Sequence, residues 1–95
     1  MRRGEIWTLH ADGYASKPRP VVIVQSDAVD RFDSVVTCLL TSYDSSEIGL
    51  NKTSYVMTDK IVTVDRKLLG YRFGVVGDVA MREVDRQLAV VLGLG

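Results

Sequence analysis

The stretch Lys17-Pro18-Arg19-Pro20-Val21-Val22-Ile23-Val24-Gln25-Ser26-Asp27 decides how the chain is read. Each proline fixes its own φ at about −65° and pushes the residue before it into extended conformations. Lys17 and Arg19 both precede a proline and are therefore held extended. Four consecutive branched aliphatics follow, the pattern of a strand buried on both faces. A cation with a stiffened backbone thus stands at the mouth of a rigid strand, which is what a functional charge requires of its scaffold. The same residues also suit an ordinary surface arginine at a strand start, so the choice needs further residues.

Working outward, residues 3–10 read as a strand, with Trp7 and Leu9 on one face and Ile6, Thr8 and His10 on the other. Residues 11–17 form a loop with the turn signal Asp12-Gly13 and Tyr14 at its tip. The strand of the opening stretch covers 19–25, and 26–34 is a turn with one helical turn over 28–32. A third strand over 35–42 is rich in β-formers. Residues 43–52 are a polar loop, and 53–64 form either two short strands or one long bent strand interrupted at Asp59-Lys60. A single tight turn over 65–69, closed by Gly70, leads to a last strand over 71–76, where Gly74 marks a bulge or close packing. The chain then becomes helical. Asp78 is the expected N-cap, and Met81, Val84, Leu88, Val91 and Leu92 fall on a single apolar face that Gly93 terminates. Glu83 and Arg86 form an i,i+3 pair on the polar side. This succession predicts an α+β domain that is mostly antiparallel β: a small sheet or partly closed barrel with one terminal helix over an opening or face.

The chain has 95 residues and reads as one domain, 1–95. At this size folding buries only about 60–65% of the unfolded surface, so pairing into a homodimer is a natural expectation. Twelve basic residues balance 12 acidic ones, which excludes a global basic field for nucleic acid and leaves Arg2, Arg3, Lys17 and Arg19 as a local candidate patch. Cys38 is the only cysteine, so there is neither an intrachain disulfide nor a cysteine metal cluster, and Cys38 reads as an inert core thiol. One histidine, one cysteine and scattered carboxylates suggest no metal site and no cofactor. No apolar run approaches the ~20 residues of a membrane span, which predicts a soluble, cytoplasmic protein with no membrane partner.

Two motifs in order, Arg3-Gly4-Glu5-Ile6-Trp7 and Lys17-x-Arg19-Pro20-Val21-Val22-Ile23-Val24-Gln25-Ser26-Asp27, resemble the N-terminal signature of the MazF/PemK (Kid) toxin endoribonucleases. Leu40-Thr41-Ser42 sits where that family ends its third strand, and Asp59-Lys60-Ile61-Val62-Thr63-Val64-Asp65 resembles its central strand. Residues 81–92 match its closing helix. The resemblance implies an SH3-like barrel of the CcdB/PemK type and a homodimer. It also implies metal-independent, sequence-selective cleavage of single-stranded RNA and inhibition by a cognate, MazE-like antitoxin. By the family's motif, Arg19 and Thr41 carry over as the catalytic pair. Lys17, Tyr14, Ser42, Asp59 and Lys60 are candidate RNA contacts. Lys60 replaces a glutamine common in the family, and the segment 43–53 is short, so the RNA sequence recognised does not carry over.

The chemistry is self-consistent. RNA supplies its own nucleophile, the 2′-OH, so positioning and charge stabilisation suffice. A guanidinium can donate two parallel hydrogen bonds to phosphate oxygens and is a poor proton donor, so Arg19 suits electrostatic stabilisation. The Thr41 hydroxyl can hold a phosphate oxygen or orient the 2′-OH; it is too weak a base to act alone. Asp59 fits either a base contact or a strand-end ion pair. His10 has the one side chain with an unperturbed pKa near neutrality, yet it aligns with no family catalytic position. Two alternatives remain open on the sequence. One is a CcdB-like gyrase poison, which would need an aromatic-bearing C-terminal tail where this chain has Val91-Leu92-Gly93-Leu94-Gly95. The other is a catalytically silent SH3-like interaction module.

Overall fold

A computed structural model describes residues 1–10, 18–30, 32–40 and 56–94. The strands are β1 (Glu5–Leu9), β2 (Arg19–Ile23), β3 (Ser34–Leu40), β4 (Val56–Asp65) and β5 (Leu69–Val75). A 3-10 turn (Arg66–Leu68) joins β4 to β5, and the helix α1 (Asp78–Val91) follows. The sheet order is β4-β3-β2-β1-β5, and every neighbouring pair is antiparallel. Among the described residues the sheet does not close on itself; its curl and closing helix are those of a barrel-like, SH3-like domain.

The proline-braced stretch supplies the centre of this sheet. Side chains on β2 alternate between two packing layers. Val21 and Ile23 join Leu9, Val35, Val64 and Leu69 in one buried cluster, with Trp7 and Leu39 packed against it. Val22 turns the other way and meets Met81 and Val84 of α1, flanked by Ile6, Leu40 and Val56. The run is therefore buried on both faces, as its composition predicts. Trp7 and Leu9 also separate from Ile6 as the alternation of β1 requires. Cys38 is fully buried, and burial pushes its thiol up, as expected of an inert core group.

The two glycines of β5 differ: Gly74 marks a register shift, and Gly70 serves a close approach. The β1–β5 register shifts between Ile6 and Trp7, and Gly74 lies opposite Ile6. A Cβ on Gly74 would stand 3.4 Å from Ile6 Cδ1. Gly70 belongs to β5 rather than closing the preceding turn, whose C-cap is Leu69. A Cβ on Gly70 would overlap the side chains of His10 and Thr8. Those two are linked to each other, with Thr8 Oγ1 and His10 Nε2 3.1 Å apart. Gly70→Ala should therefore cost about 1–3 kcal/mol by overpacking. A thermal melt is expected to move down by roughly 5–20 °C for a domain of this size.

Three further expectations change on the structure. The helix begins after Gly77, not after an Asp78 cap. Gly77 O accepts from Met81 N at 2.9 Å, and Asp78 lies in the first turn, where its charge complements the helix dipole. Among the described residues, 26–34 contains a β-turn, with Val29 N donating to Ser26 O, and no helical turn. Local side-chain bonds outcompete a helix there: Ala28 N donates to Ser26 Oγ, Gln25 Nε2 donates to Val29 O, and Gln25 Oε1 accepts from Val36 N. The apolar face of α1 is buried only at Met81 and Val84, while Val91 and Leu92 are exposed. Gly93 does end the helix. It takes φ +72°, and Leu94 N and Gly93 N donate to Ala89 O and Val90 O, a Schellman closure. No described helix is long and apolar enough to cross a membrane.

Candidate functional site

Arg19 opens β2 and is exposed. It pairs with Leu9 across the β1–β2 ladder and shares the strand face of Val21 and Ile23. Pro20 pairs with Thr8, so the backbone carrying Arg19 is held in the ladder with β1. His10 continues β1 on the face opposite Leu9 and Arg19, where it is engaged with Thr8 and its backbone N–H donates to Leu68 O at 2.8 Å. Asp59 and Lys60 are exposed on β4. Thr41, Lys17, Tyr14 and Ser42 lie outside the described residues.

The proposed basic patch is partly spent on structure. Arg2 pairs with Asp27 at 3.7 Å, and Arg3 pairs with Asp85 of α1 at 2.5 Å. Arg3 also donates from Nε to Val24 O at 2.9 Å, and its backbone N–H donates to Asp27 Oδ1 at 2.6 Å. Arg3 thus clamps the N-terminus to the end of β2 and to the helix. Among the described residues, no group of three or more histidine, cysteine or carboxylate side chains could hold a metal ion.

Glu5 of the Gly-Glu-Ile-Trp motif ties β1 to β5 and to the N-terminus. Its Oε1 accepts from the Trp7 indole N–H and from the Arg2 backbone N–H, each at 3.0 Å, and Oε2 lies 3.4 Å from Arg72 Nη1. Burial raises the Glu5 carboxyl, but the two hydrogen bonds and the Arg72 charge outweigh it and hold the group below the ordinary carboxylate range. The folded pKa is thus lower than the unfolded one. The stabilisation is complete above the ordinary carboxylate range and is lost as pH falls through the folded value. The melting-temperature gap between wild type and Glu5→Gln should be widest near pH ~7 and should narrow towards pH ~3. Trp7 fluorescence is a suitable local readout.

Sequence reasoning did not single out Thr58 and Gln87, whose side chains meet across the β4–α1 contact, with Thr58 Oγ1 donating to Gln87 Oε1 at 3.2 Å. Helical periodicity put Gln87 on the polar side of α1, and only the packing of the helix on β4 reveals the pairing.

The described residues form a five-stranded antiparallel sheet packed against one helix, with Arg19 at the first position of β2. The family model described as "PemK-like, MazF-like toxin of type II toxin-antitoxin system" matches residues 2–92. The chain belongs to that family. It is 38% identical to "Probable endoribonuclease MazF" of Mycolicibacterium smegmatis over 99% of this chain and 98% of that protein. Among solved structures it is similar to an endoribonuclease in complex with its cognate antitoxin from a mycobacterial species. That match has TM-score 0.81 and 26% identity, covering 100% of this chain and 97% of that one. A second mycobacterial endoribonuclease matches with TM-score 0.79 and 25% identity, covering 99% and 92%.

Proposed function

We propose that the chain is a toxin endoribonuclease that cleaves single-stranded RNA at selected sites without a metal ion and is inhibited by a cognate antitoxin. The observation that carries the reading is Arg19, a guanidinium on a proline-braced strand mouth in a chain of the MazF-like toxin family. The 2′-OH attacks the adjacent phosphorus, the P–O5′ bond breaks, and the products are a 2′,3′-cyclic phosphate and a 5′-OH. The proton lost by the 2′-OH is balanced by the one gained at O5′. Arg19 holds the phosphate oxygens in line and stabilises the charge that grows on them.

Thr41 is the proposed partner of Arg19. The resemblance of Leu40-Thr41-Ser42 to the family's motif supports it. Lys17, Tyr14 and Ser42 are proposed as further RNA contacts, with Tyr14 stacking a splayed base. The exposed side chains of Tyr71, Phe73 and Val75 on β5, and of Val91, Leu92 and Leu94 at the helix end, support a homodimer that covers them. A cytoplasmic location follows from RNA as substrate.

Purified wild type and a long single-stranded RNA in EDTA, with 5′ ends mapped by primer extension, test the reading. Discrete cuts bearing 5′-OH ends are expected. Intact RNA across several unrelated sequences would overturn it in favour of a gyrase poison or a silent interaction module.

A further inference from the structure

A proline inside a central strand is unusual, because such a strand shares hydrogen bonds with two neighbours and proline has no N–H to give. β2 is central, between β3 and β1, and Pro20 is its second residue. Two backbone bonds fix which neighbour each β2 residue addresses. Val24 N donates to Val36 O at 3.1 Å, and Ile23 O accepts from Gly4 N at 2.8 Å. The direction alternates along a strand, so residues 20, 22 and 24 address β3, and residues 19, 21 and 23 address β1. The ring nitrogen of Pro20 therefore faces β3. The register Val21–Leu39 and Val22–Cys38 sets Leu40 opposite it. The rung that would end on the Leu40 carbonyl is missing. Towards β1 nothing is lost, because Thr8–Pro20 is a pair that exchanges no hydrogen bonds.

The strand pairing records the difference. Among the described residues, β2–β3 pairing stops at Val21–Leu39, while β1–β2 pairing continues through Thr8–Pro20 to Leu9–Arg19. Leu40 is partly exposed and pairs with Val56 on its other side. By the same alternation its carbonyl aims at β2 and not at β4. A backbone acceptor to which β2 offers no donor thus stands at the strand mouth, one row from Arg19. Rows along a strand are roughly 3.3 Å apart.

A carbonyl oxygen repels phosphate oxygens and takes only a donor. Along an RNA backbone the donor is the ribose 2′-OH, which DNA lacks. We infer that Pro20 is a positioning residue: by withholding an N–H it keeps the Leu40 carbonyl unpaired, and that carbonyl accepts the hydrogen bond of the reacting 2′-OH and turns its oxygen towards phosphorus. The inference rests on the RNA-cleaving reading above, in which Arg19 holds the phosphate beside that hydroxyl. The carbonyl orients the nucleophile and takes no proton from it.

Proline also stiffens its own backbone and that of Arg19, so bracing is the rival role. Two replacements separate them. Pro20→Ala removes the ring and restores an N–H that occupies the Leu40 carbonyl. The α-hydroxy analogue of alanine at position 20, introduced by chemical ligation into the full chain, also removes the ring but places an ester oxygen where the N–H would be. The experiment measures single-turnover cleavage at saturating protein, amide exchange, and binding of a DNA strand of the cleaved sequence. Pro20→Ala should cut about 2–12-fold more slowly, the worth of one hydrogen bond. Its new amide at position 20 should exchange slowly, as a ladder N–H does. The ester chain should cut at close to the wild-type rate. DNA should bind all three proteins equally, since it has no hydroxyl for the carbonyl to hold. An ester chain as slow as Pro20→Ala would assign Pro20 to bracing and overturn the inference. A fast-exchanging amide would do the same by showing that no rung forms. DNA binding that weakens along with the rate would mean a distorted mouth instead of a blocked acceptor. A wild-type rate from Pro20→Ala would overturn the inference alone, whereas a wild type that cuts no RNA would overturn the endoribonuclease reading and the inference with it.

Discussion

Arg19→Ala is expected to cut RNA about 10²–10³-fold more slowly than wild type, the usual loss when one preorganised donor to a developing oxyanion is removed. Arg19 is exposed at the first position of β2, and the packing of that strand is carried by Val21, Val22 and Ile23. The variant should therefore keep a cooperative melt. Arg19→Lys separates charge from shape. An ammonium retains the charge but not the planar fork that grips two phosphate oxygens, so this variant should fall between wild type and Arg19→Ala. Single-turnover rates in EDTA, measured at saturating protein, report the chemical step rather than binding. Wild-type rates from Arg19→Ala would move the site away from the mouth of β2. A loss confined to KM would make Arg19 a binding contact and leave the phosphorane charge to another group.

Much of this architecture was readable because its signals are local and redundant. Two prolines and four branched aliphatics fix β2, and the alternation of Trp7 and Leu9 against Ile6 fixes which side of β1 meets which layer. Gly74 and the Asp59-Lys60 interruption both mark true irregularities, since each lies at a register shift. The failures share a cause: tertiary or side-chain competition that periodicity does not see. Ser26 and Gln25 satisfy backbone groups that a helical turn would have used. Val91 and Leu92 continue the apolar stripe of α1 and are exposed all the same. Arg2 and Arg3 read as site cations but are held by Asp27 and Asp85, and Asp85 is 82 residues from Arg3 in the chain. For the site, family motifs select Arg19 and Thr41, whereas the Thr58–Gln87 pair needs the helix docked before it can be recognised.

Ile23→Ala is expected to be the most damaging single truncation for stability, at about 2–5 kcal/mol. Ile23 is 1% exposed and among the largest fully buried side chains. It packs in the inner cluster with Leu9, Val21, Val35, Val64 and Leu69, and pairs with Thr37 at the centre of the sheet. Strands hydrogen-bonded on both sides cannot readily move inward to fill the cavity, so both the transfer and the cavity cost apply. A domain with about 5–15 kcal/mol of total stability loses a large share of it. The melt should fall by roughly 10–25 °C. Val79→Ala on α1 is the matched control: Val79 is 75% exposed, and the change should stay within about 0.5 kcal/mol. The decisive comparison is between Ile23→Ala and Arg19→Ala at a temperature where both are folded. Ile23 sits four residues from Arg19 on the same strand face, so a site that depends on the exact pitch of β2 would lose rate in both. A rigid strand braced by Pro18 and Pro20 should instead keep its mouth in register. Ile23→Ala would then cleave at close to the wild-type rate per folded molecule, and Arg19→Ala would melt normally and scarcely cleave. A parallel loss of rate in Ile23→Ala would show that packing along β2, and not the prolines, positions the guanidinium.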